Sequence, residues 1–250
     1  MSEYNPFSLQ DKTVLVTGAS SGIGKAIAIE CSKMGANVII TARNEERLSE
    51  TLSLMLGDNH KMIVADLNSE DQLYRLVESI SKLDGLVQSA GITIPKPFRF
   101  YSKENIESVM GVNFEAPVLL TQALIKKKKI KKQGSIVFIS SISGVYISSI
   151  AGTIYSASKG AINGVAKGLA LEFAPRGIRV NSVNPGMVDT NIYSDGIISE
   201  EQLNEDRKKY PLKRYGRPEE VAYAVIYLLS DASLWVTGSN LLIDGGYTLQ

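Results

Sequence analysis

The chain has one histidine, one cysteine and one tryptophan among 250 residues. A lone Cys31 cannot form an internal disulfide, which fits a reducing compartment and predicts a cytoplasmic protein. Cys31 and His60 are together too few for a structural zinc site, which takes about four Cys/His ligands, so no metal is expected. Neither is placed for a Cys/His or Ser/His nucleophile system, because His60 falls in the polar connector GDNHK. Surplus charge is missing too: 27 Lys and Arg against 26 Asp and Glu leave +1. That balance gives no reason to expect nucleic acid or an anionic membrane as partner. No apolar run approaches the roughly 20 residues of a membrane span, and MSEYNPFSLQDK has neither the basic nor the apolar region of a secretory signal. Internal repeats, linkers and low-complexity segments are absent as well. If the chain is an enzyme, something other than histidine moves its protons.

What is present is an ordinary globular composition, 44% hydrophobic and 21% charged, in a chain long enough for one large domain over 1–250. Short β-branched runs alternate with longer amphipathic stretches. Candidate strands are TVLVT (13–17), NVIIT (37–41), KMIVA (61–65), GLVQS (85–89), SIVFIS (135–140), IRVNSV (178–183) and NLLID (240–244). Helical patterns lie between them, such as 24–35 and 219–231, with two long ones at 102–131 and 153–175. The alternation predicts an α/β, doubly wound, Rossmann-type domain with a parallel sheet whose strands are buried on both faces. The irregular stretch at about 187–212 is expected to be a substrate loop or lid.

The first strand runs into TGASSGIGK (17–25). Gly18, Gly22 and Gly24 let the backbone turn tightly and approach a pyrophosphate seated on the helix N-terminus. The spacing is G-x-x-x-G-x-G, not the standard G-x-G-x-x-G. GASSG also satisfies the G-x-S-x-G nucleophile elbow, but no histidine follows His60 to complete a triad. A P-loop fails on spacing and on Ala26 after Lys25, and SASK (156–159) lacks the SDN and KTG that accompany S-x-x-K. Dinucleotide binding is the reading left. At the end of the second strand, TARNEER places Arg43 where an acid would hold the ribose hydroxyls of NAD. A guanidinium there makes charge-assisted bonds to a phosphate, so NADP(H) is favoured over NAD(H).

With these residues in hand, the chain resembles the classical short-chain dehydrogenase/reductases over essentially its whole length, most of all the 3-oxoacyl-acyl-carrier-protein reductases. TGASSGIG fits the family's glycine motif, Asp66 in VADLN its adenine contact, and Asn113 in GVNFEA its helix-bending asparagine. ISSISG supplies the serine, YSASK the Tyr155/Lys159 pair, and VNPGMVDT the turn that flanks the nicotinamide. The resemblance implies about seven parallel strands in the order 3-2-1-4-5-6-7. It implies a cofactor site of Gly18, Ser20, Ser21, Gly22, Ile23, Gly24, Arg43, Asp66, Leu67, Ala90, Gly91, Tyr155, Lys159, Pro185, Gly186, Val188 and Thr190. Asn113, Ser141, Tyr155 and Lys159 would be catalytic. Two departures stand out: QSAG (88–91) replaces the family's NNAG, and Ser141 lies 14 residues before Tyr155, one more than expected. Ser140 and Ser143 are therefore competing serines; Ser141 is chosen because it stands three before Gly144.

YSASK then has a chemical meaning. A phenol with a pKa of about 10 is a slow proton donor near neutrality. Tyr155 and Lys159 at i, i+4 share a helix face, and the ammonium favours the phenolate. Lowering the phenol by ~3 units takes about 4 kcal/mol of differential stabilisation. Ser141 would hydrogen-bond the carbonyl oxygen, and Lys159, a water and Asn113 would return the proton. The expected activity is NADPH-dependent reduction of a ketone of the 3-oxoacyl-carrier type. A dehydrogenase of a free sugar, polyol or steroid, and a non-catalytic cofactor sensor, are the alternatives. KKKKIKK (126–132), at the end of the first long helix, reads first as a solvated face. The resemblance adds docking of an acidic acyl carrier protein near Lys132 and Arg176, at the active-site entrance, and a homotetramer.

Overall fold

Seven of the apolar runs are strands: β1 (Thr13–Thr17), β2 (Asn37–Ala42), β3 (Lys61–Val64), β4 (Leu83–Gln88), β5 (Ile130–Ile139), β6 (Arg179–Pro185) and β7 (Asn240–Ile243). In the computed structural model, which describes residues 4–190 and 200–249, they form one sheet in the order β3-β2-β1-β4-β5-β6-β7, every pair parallel. The helices are α1 (Gly22–Lys33), α2 (Glu45–Ser53), α3 (Glu70–Ser79), α4 (Lys103–Met110), α5 (Ala116–Lys126), α6 (Thr153–Phe173), α7 (Glu200–Lys208) and α8 (Pro218–Leu229).

Strand side chains alternate between faces, and the core divides accordingly. Val14, Val16, Val38, Ile40, Val137 and Ile139 pack against α1 and α8. Leu15, Ile39, Leu86, Ile136 and Phe138 pack against α3, α5 and α6. Both layers are dry, and the sheet has no solvated face at its centre. This is why most of its strands read as apolar at their centres, while β6 carries buried Arg179, Asn181, Ser182 and Asn184.

Two sequence expectations change. The helix expected over 102–131 is two helices joined by a π-helical turn at Gly111–Glu115, where Ala116 N–H bonds Gly111 O five residues back. Pro117 supplies a reason: it has no N–H to give the Asn113 carbonyl four residues earlier. By length and composition alone Lys103–Lys126 passes for a membrane span, although Glu104, Glu107 and Glu115 interrupt its apolar residues. Here its Leu120 and Leu124 are fully buried within the α3–α5–α6 layer. The basic run is not a helix end either. Helix α5 stops at Lys126, Lys128 turns at φ +55, and Ile130 already pairs with Leu83. A bulge then carries Ser135 opposite Gly85. Finally, the expected lid at 187–212 contains α7, and Val188 bridges to Gly216. Residues 191–199 lie outside the described residues.

Candidate active site

In a doubly wound sheet the ligand crevice lies beyond the carboxyl ends of the strands, near the point where the order reverses between β1 and β4. Most of the predicted site residues gather at that edge. Gly18 leaves β1 at φ +67, and a Cβ there would stand 2.7 Å from Ala90 Cα. Gly24 is tighter, with a Cβ position 2.3 Å from Gly18 O. Only hydrogen fits at either position. The loop holding Ser20 and Ser21 is thereby pressed between the ends of β1 and β4 and delivered onto α1. The first turn of α1 carries no acid, and its N-cap Ser21 makes no side-chain cap bond. Its N–H groups and positive dipole end remain available to an anion.

Around this loop the other predicted residues fall into place. Arg43 follows β2, exposed and without an ion pair among the described residues. Asn44 caps α2 by accepting from Arg47 N–H at 2.8 Å. Asp66 follows β3; its Oδ1 accepts from Asn68 N–H at 3.0 Å and its N–H donates to Gln72 Oε1 at 2.9 Å, which fixes the turn with Leu67. β6 ends at Pro185, and Gly186, Val188 and Thr190 follow it. Thr190 Cγ2 lies 3.4 Å from where a Cβ on Gly22 would be, so this turn closes onto the start of α1.

The QSAG departure has a structural answer. Gln88 is buried; its Oε1 accepts from Thr17 Oγ1 at 3.2 Å, and its Nε2 donates to Pro117 O and Thr121 Oγ1, each at 3.2 Å. One glutamine ties β1 and β4 to the first two turns of α5. Thr17 Oγ1 in turn accepts from Ser89 N–H and Ala90 N–H at 3.0 and 3.3 Å. Sequence reasoning missed Thr17, although its place before Gly18 is visible.

Asn113, in the π-helical turn, clamps the chain beyond β4. Its Oδ1 accepts from Ile92 N–H at 2.8 Å and its Nδ2 donates to Ile92 O at 2.9 Å and Ser158 Oγ at 3.0 Å. Ser158 itself donates to Tyr155 O at 2.7 Å, linking the asparagine to α6. Tyr155 and Lys159 stand on one face of α6, with Lys159 Nζ 5.7 Å from the Tyr155 ring centre. A methyl group on Gly91 would meet Lys159 Nζ at 3.3 Å and Asn113 Oδ1 at 3.4 Å. Lys159 is buried, and its Nζ donates to Ile139 O at 2.9 Å. Loss of hydration pulls its pKa down from 10.5 to about 8.

Ser140 and Ser141 differ in their partners. Ser140 is buried and donates to Lys159 O at 2.9 Å while accepting from Asn163 Nδ2 at 2.7 Å. Among the described residues, Ser141 Oγ accepts only a backbone N–H, from Ser143 at 3.1 Å. The loop that follows is seated on α6: Gly144, at φ +92, leaves a Cβ just 2.0 Å from Ser156 O. Lys132 and Arg176 are not brought to the site. They precede the bulk of β5 and β6, at the amino edge of the sheet, and a strand of β6's length separates the edges by roughly 20 Å. Much of the basic run is also tied down there. Lys127 pairs with Glu78 and Lys131 with Asp84, both at 2.7 Å, and Lys129 donates to Ile80 O at 2.6 Å.

A family model described as enoyl-(acyl carrier protein) reductase matches residues 18–248. A 3-oxoacyl-[acyl-carrier-protein] reductase of Rickettsia prowazekii is 39% identical over 95% of this chain and 97% of its own length. The chain is a short-chain dehydrogenase/reductase. It is an oxidoreductase acting on CH–OH and C=O groups. Other family members are equally similar: a glucose 1-dehydrogenase of Gluconobacter oxydans is 40% identical over 95% of this chain and 92% of its own. A crystal structure assigned as a 2-deoxy-D-gluconate 3-dehydrogenase of Agrobacterium tumefaciens, with bound NADP, superposes at TM-score 0.89. It is 33% identical and covers 99% of this chain and 100% of that one. The short-chain dehydrogenase/reductase fold thus accounts for every described strand of this chain.

Proposed function

We propose that the chain reduces 3-oxoacyl thioesters carried on acyl carrier protein, using NADPH, with Asn113, Ser141, Tyr155 and Lys159 as its catalytic residues. The observation that carries the reading is the convergence of Lys159 Nζ and Asn113 Oδ1 on the Gly91 backbone, one helical turn from Tyr155. The residues present fit NADP(H). Gly18, Gly22 and Gly24 with Ser20, Ser21 and Ile23 would hold the pyrophosphate, Arg43 the 2′-phosphate, and Asp66 and Leu67 the adenine. Ala90, Gly91, Tyr155 and Lys159 would meet the nicotinamide ribose, and Pro185, Gly186, Val188 and Thr190 would flank the ring. When bound, the nicotinamide supplies the hydride.

The protein's own part is the proton. Tyr155 donates from its hydroxyl to the carbonyl oxygen as charge develops there, and the nearby ammonium stabilises the phenolate left behind. Ser141 donates to the same oxygen. The donation of the Ser140 hydroxyl to Lys159 O supports giving that role to Ser141. Lys159 and a water held beside Asn113 resupply Tyr155. The segment 187–212, of which 191–199 lie outside the described residues, is assigned as the substrate loop of a single domain.

Carrier docking takes a changed form. Lys132 and Arg176 stand at the sheet edge away from this chain's own cleft, so a carrier bound there serves the site of a neighbouring copy, within the homotetramer that belongs to this reading. Lys126, Lys128 and Lys132, which make no ion pair among the described residues, supply the charge. A cytoplasmic location completes the proposal.

The test is an assay of NADPH and NADH oxidation with acetoacetyl thioester, free and carrier-bound, alongside ketones, sugars and polyols, at two ionic strengths. Fastest turnover with NADPH and the carrier thioester, falling with salt, is expected. Preference for a sugar or polyol would transfer the chain to the free-alcohol dehydrogenases, a reading that the 40% identity to a glucose dehydrogenase keeps in view. Intact NADPH binding without turnover of any carbonyl would leave a cofactor sensor.

A further inference from the structure

Behind the catalytic face lies a buried polar chain that the mechanism above does not use. Asn163, one turn beyond Lys159 on α6, donates from Nδ2 to Lys159 O at 2.8 Å and to Ser140 Oγ at 2.7 Å. Ser140 donates to the same Lys159 carbonyl. A helical carbonyl already receives the backbone N–H four residues on. Here two side-chain donors converge on it as well. On its other side Asn163 Oδ1 accepts from Ser182 Oγ at 2.6 Å, and Ser182 reaches Asn240 Oδ1 at 2.9 Å and Asn184 Nδ2 at 3.2 Å. Ser140, Asn163, Ser182 and Asn184 are all at least 97% buried. An apolar filling would be the default at such a place between helix and sheet.

The arrangement is directed at one residue. Two consecutive residues at the end of β5 grip Lys159 at both of its ends. Ile139 O takes the ammonium at 2.9 Å, and Ser140 Oγ takes the main-chain carbonyl at 2.9 Å. Asn163 completes the grip by bonding the hydroxyl and the carbonyl together. A lysine has four rotatable side-chain bonds, and its aim is only as good as its anchor.

We propose that Asn163, acting with Ser140, is a positioning residue: it fixes the Lys159 main chain against β5 so that Nζ is held at the Ile139 and Gly91 side of the cleft. The inference rests on the reading that Lys159 serves Tyr155 and the cofactor ribose. Asn163 touches neither substrate nor cofactor and acts through the lysine alone.

The test compares Asn163→Ala and Ser140→Ala with Ser182→Ala, which cuts the same polar chain beyond Asn163. Three quantities are read: NADPH affinity by fluorescence titration, the pH midpoint of alcohol oxidation, and thermal stability. Loosening the lysine is expected to weaken NADPH and slow turnover on the order of 10- to 100-fold, the usual effect of misplacing a reacting group. The pH midpoint should also rise as the ammonium drifts from the phenol. Ser182→Ala should lower stability while leaving affinity and midpoint at wild-type values. Wild-type affinity and midpoint in both Asn163→Ala and Ser140→Ala would overturn the proposal, as would an equal shift in Ser182→Ala. Should Asn163→Ala fail to fold, Ser140→Ala, which deletes a single oxygen, decides alone. Tyr155→Phe run alongside separates the two levels. If it retains turnover, the catalytic reading falls; if it abolishes turnover while Asn163→Ala and Ser140→Ala change nothing, only the positioning role falls.

Discussion

Replacing Lys159 with methionine keeps the length of the side chain and removes its charge. The wild-type ammonium sits in a buried site that lowers its pKa from 10.5 to about 8. Below pH 8 both folded and unfolded chains carry the proton, and the folded state bears the full cost of burying it. At about 1.4 kcal/mol per pKa unit this is roughly 3 kcal/mol. Methionine recovers that but forfeits the hydrogen bond to Ile139 O, worth about 1 kcal/mol. The apoprotein of Lys159→Met should therefore be about 2 kcal/mol more stable than wild type at pH 7, roughly 4–8 °C in Tm for a chain of this size. The sign of the pH dependence follows from the depressed pKa. Between pH 8 and 10.5 the unfolded chain binds more protons than the folded one, so wild-type stability rises with pH and the gap closes. Thermal or urea unfolding of both apoproteins at pH 7 and 9.5 measures this. A variant less stable than wild type at pH 7, or a gap that does not shrink by pH 9.5, would refute the buried-ammonium argument. A protein that keeps a charge at such expense keeps it for chemistry.

Other predictions concern the cofactor site and the core. Arg43→Ala should weaken NADPH about 10- to 100-fold, the range of a charge-assisted bond, and leave NADH nearly unchanged; equal losses would contradict the phosphate clamp. Gly18→Ala forces a Cβ to 2.7 Å from Ala90 Cα at φ +67, so it should abolish NADPH binding and lower Tm, and retention of both would show that the loop moves freely. Cys31 is fully buried with its thiol raised to about 12, so it should resist alkylation until the chain unfolds, and rapid labelling of native protein would contradict its packing.

The sheet was legible because parallel strands covered on both faces are rich in apolar residues, and six of the seven runs have an unbroken apolar centre; 178–183 departs, with Arg179, Asn181 and Ser182 buried in it. The proposed catalytic set could be picked out because Asn113, Ser141, Tyr155 and Lys159 occur in order with recognisable flanks. What escaped was set by contacts distant in sequence. Six lysines between 126 and 132 resemble an exposed helix end, and nothing local reveals that Ile130 pairs with Leu83. The break at Gly111–Glu115 does not show in the apolar periodicity on either side; the resemblance marked a bend at Asn113, and Pro117 four residues later was its visible cause. Lys132 and Arg176 were assigned to the cleft entrance by resemblance, but strand direction carries them to the other edge. Gln88 looked like a defect in a motif until its amide was seen reaching Thr17 and Thr121. Asn163 offered only its spacing of four from Lys159, which a helix supplies by chance at many positions.

The central claim is that the Tyr155 phenol exchanges the proton. Turnover of acetoacetyl thioester by Tyr155→Phe, with NADPH affinity measured on the same sample, tests it most directly. The account predicts a loss of at least ~100-fold in turnover with affinity within a few-fold of wild type. Turnover near the wild-type rate would contradict it.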